Sequence, residues 1–215
     1  MRHTHTSCGR FARLALALVT GLAAVPALAC DEPVSLDNAQ VRELVTLIKT
    51  DGADALDQIF GFETLMCAKR PAVRDHATRA ALGSSNPTLQ ASVLFELLFA
   101  KEGIVIEYIV EEGQSKEYYK FVETTPMLQL NLGAKNRAES CIAINARNGQ
   151  PDCANARAWN MLQVSGTRVT LALGDSYTGN FTLQGTALVG TLAGERVAVD
   201  KKPLGAVPAK INLID

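Results

Sequence analysis

Histidine is scarce in this chain. Only three of the 215 residues are histidine, and two of them, His3 and His5, lie at the extreme start. His76 is adjacent to Asp75 in a predicted helix, and adjacent residues of a helix do not face each other. We therefore expect His76 to be a surface residue and not a general base. A single imidazole also excludes a His-rich zinc or copper site, so we predict no bound metal.

Catalytic and cofactor motifs are missing as well. There is no Gly-x-Ser-x-Gly elbow for a serine nucleophile, and no glycine-rich loop precedes a helix as phosphate binding requires. The single tryptophan, Trp159, begins an apolar stretch and is expected in the core. The sequence therefore favours a non-enzymatic protein without a cofactor.

Long apolar segments are absent except near the N-terminus. There, residues 14–24 form an apolar run that is shorter than a membrane span. Three arginines precede this run, and the small residues Ala27 and Ala29 follow it. This arrangement predicts a bacterial-type secretory signal, residues 1–29, that is cleaved before Cys30. We expect the mature protein in the periplasm or outside the cell, without a transmembrane segment.

Basic residues are not in excess. Removing the three arginines of the leader leaves 18 basic and 22 acidic residues, a formal charge of −4. Because the phosphate backbone of nucleic acids rewards clustered lysine and arginine, we expect no nucleic-acid partner.

Five cysteines are present, and Cys8 lies in the predicted leader. The other four, an even number in an exported chain, predict two disulfide bonds with three possible connectivities. Because short loops close at the lowest entropy cost, we favour the local pairs Cys141–Cys153 and Cys30–Cys67.

Cys30 has an alternative role. A cysteine at the first mature position is where bacterial lipoproteins carry their acyl anchor. The usual motif has leucine three residues before the cysteine, and here that position is Ala27, whereas Leu28 lies one place too late. An anchor would also leave Cys67 without a partner. We therefore predict a disulfide, with a membrane-anchored lipoprotein as the alternative.

Helical periodicity dominates the first half of the mature chain. Asp37 and Gln40 match a capping box, and apolar residues follow them at helical spacing. A shorter helix is predicted over residues 54–60, and two more begin at Pro71 and Pro87.

Residues 71–102 are predicted to form two antiparallel helices joined by a polar turn. With small residues on one helix and leucines on the other, the pair resembles a single HEAT-type repeat. HEAT proteins stack about three or more such units to build a core. The resemblance therefore implies a packing geometry and no function.

From residue 103 onward the period becomes that of strands. Runs of β-branched and aromatic residues, separated by glycine turns, predict strands over residues 104–110, 118–122, 127–132, 168–173, 181–183, 188–192, 196–199 and 210–214. Such a series favours an antiparallel β-meander. The predicted class is α+β, with a helical lobe over residues 30–103 and a mainly β lobe over residues 104–215, packed together as one unit.

Two segments are candidate binding sites. Tyr118, Tyr119 and Lys120 combine aromatic rings with a positive charge, a combination that is enriched in protein interfaces. The loop closed by the predicted C-terminal disulfide presents Arg147 and Asn148 on a rigid scaffold, which lowers the entropy cost of binding. The alternatives are a half-buried strand for the first segment and plain stabilisation for the second.

Acidic residues cluster around the junction between helices and strands. They are Glu96, Glu102, Glu107, Glu111 and Glu112. Two carboxyl groups about 5 to 10 Å apart are what glycoside hydrolysis needs. Charges at the ends of elements are ordinarily solvated, however, so we assign no catalytic residue.

The leading prediction is an exported, non-enzymatic binding or accessory protein of the bacterial envelope. It would act through protein–protein interaction, with another envelope or secreted protein as its partner. The alternatives are an envelope hydrolase that uses paired carboxylates and a carrier of a small apolar ligand.

Overall fold

The computed structural model describes residue 30 and residues 32–110, 112–144, 160–174, 176–200 and 202–214. The predicted leader, residues 1–29, lies outside this part of the chain. Within the described residues, helices come first and an antiparallel barrel follows. The predicted class, α+β with an antiparallel β part, is confirmed at this level.

Four helices precede the barrel, and polar caps determine where most of them begin. They are α1 (Asn38–Lys49), α2 (Ala55–Met66), α3 (Pro71–Leu82) and α4 (Pro87–Ala100). The predicted capping box is confirmed: Asp37 Oδ1 accepts hydrogen bonds from the backbone of Ala39 and Gln40, and Gln40 Oε1 accepts one from Asp37. Asp54 and Asn86 cap α2 and α4 in the same way.

Helix α2 is longer than the predicted 54–60 because Gly61 does not end it. A Cβ atom at Gly61 would lie 3.4 Å from Leu47 Cδ2 and 3.7 Å from Leu44 Cδ2 of α1. The missing side chain therefore lets α1 and α2 approach closely. Buried residues continue on α2 beyond this point, at Phe62 and Leu65.

The segment before α1 is tied to the end of α2. A disulfide bond joins Cys30 to Cys67, in agreement with the favoured pairing. Val34 forms a short parallel bridge with Ala68: its N–H donates to the Cys67 carbonyl and its own carbonyl accepts from Lys69. These bonds hold residues 30–36 against the helices.

Ten strands follow in the described part of the chain, and the alternation of buried and exposed residues gives most barrel strands an inner and an outer face. They are β1 (Gly103–Tyr108), β2 (Met127–Asn136), β3 (Cys141–Ile144), β4 (Asn160–Ser165), β5 (Arg168–Leu173), β6 (Tyr177–Gln184), β7 (Ala187–Ala193), β8 (Ala198–Val199), β9 (Lys202–Pro203) and β10 (Val207–Asn212). Eight of them form a closed antiparallel barrel, and β8 pairs only with β9.

The barrel is an up-and-down meander that β10 closes. Each of β1 to β7 pairs with its neighbour in sequence, and β10 fills the place between β7 and β1. Ile106 lies opposite Ile211 and Tyr108 opposite Ala209 at this closing pair. Closure leaves the eight strands without a free sheet edge.

Side chains fill the barrel interior, as expected for eight strands. Phe181 lies opposite Gly190, and Gly179 lies opposite Leu192, so large and small inward positions face each other across β6 and β7. A Cβ atom at Gly190 would lie 1.9 Å from the Asn180 carbonyl oxygen. Glycine is therefore required where these two strands cross closely.

One predicted strand is wrong. Residues 118–122 belong to a helix, α5 (Lys116–Thr124), whose Ser115 cap accepts a hydrogen bond from the Tyr118 backbone. Tyr118, Phe121 and Val122 repeat at helical spacing and face inward. Aromatic and β-branched residues raised the strand propensity, and the burial of this helical stripe outweighs it.

Helix α5 covers one end of the barrel, the end at which β1 terminates and β2, β6 and β10 begin. We call this end the α5 mouth. The Tyr118 hydroxyl donates to the Ile109 carbonyl, just beyond β1. On the other side of the helix, Lys120 forms a salt bridge of 3.0 Å with Asp200 in the β8–β9 hairpin.

An arginine joins the helices to the barrel. Arg137, after β2, donates to both carboxylate oxygens of Glu96 on α4, at 2.6 and 3.0 Å. Its guanidinium also lies 5.5 Å from the Phe95 ring centroid and 5.2 Å from that of Phe99. The hydrogen bond to Glu96 is the main cause that raises the pKa of Arg137. Most buried apolar side chains of the helices and strands form one contiguous cluster.

Among the helices that the structure describes, none has the length and hydropathy of a membrane-spanning segment.

Candidate binding surface around helix α5

The three residues predicted to form an aromatic binding site lie on opposite sides of α5. Tyr118 is buried, whereas Tyr119 and Lys120 are exposed. Helical rotation of about 100° per residue separates them, because the segment is a helix and not a strand. The prediction that Tyr118 is an exposed anchor is therefore wrong.

On the inner side, α5 contributes rings to the α5 mouth. The Phe121 ring packs edge-on against Tyr108 at 4.9 Å between centroids and an interplanar angle of 70°. Aromatic pairs prefer this arrangement because the positive ring edge meets the negative face. Together with the hydrogen bond from Tyr118, this contact anchors the helix.

On the outer side, α5 presents Tyr119 beside a mixed pattern of charges. The Lys120–Asp200 pair is solvated, with 57% and 78% of the two side chains exposed, so it adds little stability. Lys116 and Glu117 are also exposed. This face has the aromatic and charged character of an interface rim.

Exposed apolar residues lie in the chain segments that precede and follow α5. Seven large apolar side chains of the described residues are exposed, and four of them come from residues 105–127: Val105, Val110, Tyr119 and Met127. We call these four the β1–α5–β2 patch. Val110 is the most exposed of them at 63%, followed by Met127 at 47%.

Strand register brings two members of the patch together, and Tyr118 links the segments that carry the other two. Val105 pairs with Gln129, and Met127 pairs with Glu107, so Val105 and Met127 are diagonal neighbours on the outer face, about 7 Å apart. The Tyr118 hydroxyl bonds the carbonyl next to Val110. Tyr119 follows directly on the helix, with its ring 5.9 Å from that of Tyr118.

The second predicted binding segment lies outside the described residues. Arg147, Asn148 and Cys153 all belong to residues 145–159. Cys141, at the start of β3, is disulfide-bonded. The predicted partner of Cys141 and the presentation of Arg147 and Asn148 stay predictions.

Two of the clustered acids form salt bridges with basic side chains. Glu96 binds Arg137 through both carboxylate oxygens. Glu107 lies on the outer face of β1, 3.0 Å from Lys210 Nζ on β10, and accepts a hydrogen bond of 3.2 Å from Asn212. Glu102 and Glu112 are exposed, and Glu111 lies outside the described residues. These positions agree with the expectation of charges at the surface.

His76 is exposed on α3, next to the exposed Asp75. Across the described residues, no group of three or more His, Cys, Asp or Glu side chains is placed to hold a metal ion.

The structure adds a shallow groove beside the Cys30–Cys67 disulfide that the sequence did not indicate. It has a volume of about 290 Å³. Its lining comes from the two segments of the Val34–Ala68 bridge: Val34, Ser35, Leu36, Ala68, Lys69 and Arg70. Arg70 donates to the Asn38 side chain and the Leu36 carbonyl, and so supports the groove wall.

Comparison with known proteins returned no match: no protein-family model, no curated protein and no solved structure is similar to this chain. Its function therefore has to be argued from the site and not from the fold, since one fold serves many functions.

The sequence predicts Tyr118, Tyr119 and Lys120 as a binding segment, and it places no other member of the patch in a candidate site. Val105 and Val110 belong to the predicted strand over residues 104–110, and Met127 begins the predicted strand over residues 127–132. The alternation of Ile104, Val105 and Ile106 carries a signal, because strand residues alternate between faces and one of them must point outward. That Val105 and Met127 are neighbours depends on the pairing of β1 with β2.

Proposed function

We propose that this protein is an exported binding or accessory protein of the bacterial envelope, and that the β1–α5–β2 patch contacts its protein partner. The observation that carries the proposal is that four of the seven exposed large apolar side chains of the described residues fall within residues 105–127, in α5 and the segments that flank it. Contiguous exposed apolar surface with a polar rim is typical of protein interaction sites.

Export is supported by the cysteine chemistry. A disulfide at Cys30 persists in an oxidising compartment such as the periplasm or the extracellular space. The apolar run of the leader and the small residues before Cys30 supply the matching targeting signal. We place the mature protein in the periplasm or outside the cell.

The disulfide also bears on the lipoprotein alternative. Acylation of a lipoprotein cysteine converts its Sγ atom into a thioether, and the same sulfur atom cannot also form a disulfide. The bond between Cys30 and Cys67 therefore favours a chain that carries no anchor at this position.

The patch has the composition that productive interfaces use. Tyr119 supplies a ring with a polar tip. Met127 supplies a flexible apolar side chain, and Val110 supplies a compact one. Lys116 and Lys120 provide positive charge at the rim, which steers association and contributes less to affinity. We expect a partner surface with an apolar centre and acidic groups around it.

The two alternatives find less support. The hydrolase alternative needs a pair of free carboxylates, whereas Glu96 and Glu107 each bind a cation and are held in surface networks. The carrier alternative needs room in the barrel, whereas a Cβ atom at Gly179 would already lie 2.7 Å from the Phe181 ring. We therefore keep protein binding as the proposed function.

Affinity capture from envelope extract tests the proposal. The mature protein is immobilised beside a triple variant, Val110→Ser, Tyr119→Ala and Met127→Ser, which leaves the inward residues of α5 intact. We expect the native protein to retain a partner that the triple variant retains at least tenfold more weakly. Equal capture by both proteins would contradict the proposed surface.

Helix α2 offers a matched control. Leu56 and Phe60 are exposed to 61% and 60% on the same face of α2, four residues apart. The double variant Leu56→Ser and Phe60→Ser removes a similar apolar area elsewhere. The control variant should capture the partner as well as the native protein does. Loss of capture would show that retention reflects non-specific hydrophobic binding.

A further inference from the structure

We propose that the groove lined by residues 34–36 and 68–70 binds a short, extended, acidic segment of a partner protein, whose carboxylates are held by the basic side chains of the groove. We call it the bridge groove, because the Val34–Ala68 bridge joins its two segments. It shares no lining residue with the β1–α5–β2 patch, and the inference does not depend on the function proposed for that patch.

The bridge groove has room for a ligand. Its volume of about 290 Å³ is at the lower end of the volumes of about 300 to 1,000 Å³ that ligand pockets have. Four of its six lining residues are exposed: Val34, Ser35, Lys69 and Arg70. An open groove of this size suits a few residues of an extended chain, because small molecules are mostly bound in clefts that bury them.

The basic side chains at the groove have no acidic partner in the described structure. Lys69 and Arg70 line the groove. Arg74 lies beside it and donates to the Ala68 carbonyl at 2.7 Å. The salt bridges among the described residues all lie elsewhere in the molecule. Three unpaired positive charges around one groove attract a ligand that carries carboxylates.

Nearby acids do not neutralise these charges. Asp37, directly after the lining residues, accepts hydrogen bonds from the backbone of α1 as its cap. Glu32, just before them, is exposed, and it forms no ion pair within the part of the chain that the structure describes. The chain after residue 29 has 18 basic and 22 acidic residues. The positive charge of the groove is therefore a local feature and not a property of the whole surface.

Hydrogen bonds hold the Arg70 guanidinium in place before a ligand binds. Its Nη1 donates to Asn38 Oδ1 and its Nη2 to the Leu36 carbonyl, both at 3.0 Å. These partners are neutral, so they fix the guanidinium without cancelling its charge. A guanidinium has further N–H donors beyond these two, and they remain for a carboxylate. Because the side chain is already ordered, binding costs less entropy.

Ser35 adds free backbone groups to the groove. Both backbone groups of Val34 bind the segment after α2: its N–H donates to the Cys67 carbonyl at 2.8 Å, and its carbonyl accepts from Lys69 at 3.0 Å. In an extended segment the backbone groups of the next residue point the opposite way. Those of Ser35 form no hydrogen bond among the described residues. An extended peptide can pair with them, as peptides do at exposed strand edges.

Isothermal titration calorimetry of the mature protein at low ionic strength tests the proposal. The probe is the blocked peptide acetyl-Asp-Val-Asp-Val-Asp-amide, and its neutral counterpart has asparagine in place of each aspartate. We expect saturable binding of the acidic peptide. The neutral peptide should bind about tenfold more weakly, as expected for the loss of two or three exposed ion pairs. Added salt should weaken binding of the acidic peptide, because charges in an open groove are screened.

Two charge variants separate the groove from the overall charge of the protein. The Lys69 side chain has no hydrogen bond or salt bridge within the described structure, so Lys69→Gln should keep the native unfolding temperature. It should weaken binding of the acidic peptide about threefold, the size of one exposed ion pair. Lys49→Gln is the matched control, because it removes the same charge at the other end of α1, about 16 Å along the helix axis from Asn38. It should bind like the native protein.

Three results would overturn the proposal. The first is no saturable binding of the acidic peptide to the native protein. The second is equal weakening by Lys69→Gln and Lys49→Gln, which would show that binding follows net charge and not the groove. The third is binding of succinate as tightly as the peptide, which would show a site for small anions.

Discussion

Single residues set the packing of the barrel where β6 crosses β7. Phe181 fills the interior because the residue opposite it, Gly190, has no side chain. Gly→Ala substitutions are commonly tolerated in open positions. At Gly190, however, the added Cβ atom would lie 1.9 Å from the Asn180 carbonyl oxygen, so the backbone would have to shift.

Replacing Gly190 with Ala should therefore destabilise the protein by about 3 kcal/mol or more, at the upper end of overpacking effects. Gly83→Ala is the matched control, because the nearest atom to its new Cβ would be 3.6 Å away. That change should leave the free energy of unfolding within about 1 kcal/mol of the native value. Urea denaturation of both variants measures the difference, and equal stabilities would contradict the close crossing.

The buried phenol of Tyr108 makes the fold sensitive to alkali. Burial raises its pKa in the folded protein, whereas the unfolded chain ionises near pH 10. Above that pH the unfolded state loses a proton that the folded state keeps, so stability falls as the pH rises. The slope of this effect is at most about 1.4 kcal/mol per pH unit.

Tyr108→Phe should therefore lose less stability than the native protein between pH 8 and pH 11. Chemical denaturation at the two pH values measures this difference. The same fall in both proteins would show that Tyr108 is solvated.

At the residue scale, the sequence predicted what depends on near neighbours. The capping box at Asp37 is a local pattern, and the pairing of Cys30 with Cys67 follows from a loop-length argument. The unpartnered hydroxyl of Tyr108 was not foreseeable, because it depends on what α5 and β6 bring around it.

Helix α5 has an inner and an outer side that should contribute differently to stability. Its inner residues stabilise the fold, whereas Tyr119 and Lys120 on its outer side are exposed. Phe121→Ala should cost about 3 to 5 kcal/mol, as expected for a large buried ring. Tyr119→Ala should stay within about 1 kcal/mol of the native stability.

Thermal unfolding of these two variants checks the orientation of α5. If both changes cost the same, the division of the helix into an inner and an outer side is wrong. Tyr118→Phe adds a finer test, because it removes only the hydrogen bond to Ile109 and should cost about 1 kcal/mol.

At the element scale, periodicity predicted the four N-terminal helices and most of the barrel strands. It failed at α5, where Tyr118, Tyr119 and Phe121 have high strand propensity in a short segment. It also assigned no strand to β3 or β4, which flank residues 145–159. The resemblance of the α3–α4 pair to one HEAT-type repeat stays a prediction about packing.

Closure of the barrel had no local signal in the sequence. β10 pairs with β1 across about half of the chain, and no propensity rule reports such a pairing. The predicted meander was therefore confirmed as an antiparallel series, and its closed form is a property of the whole molecule. The division into a helical and a β lobe stays a prediction.

The covalent state of the whole molecule follows from the chemistry of one sulfur atom. The predicted cleavage makes Cys30 the first residue of the mature protein. Because Cys30 is bonded to Cys67, this residue should carry no acyl group, and Cys67 should not react with thiol reagents. Intact mass spectrometry of protein purified from the envelope, with and without reduction, measures this. A diacylglycerol increment on Cys30 would show that the protein is a lipoprotein.

We propose that the β1–α5–β2 patch contacts a protein partner in the envelope. Photocrosslinking in living cells tests it most directly, with a photoactivatable phenylalanine analogue placed at Tyr119 in one strain and at Phe60 in another. Both positions are exposed, at 39% and 60%, so both probes can react with whatever touches them. We expect one discrete crosslinked species from position 119 and none of that mass from position 60. The same species from both positions, or none from position 119, would contradict it.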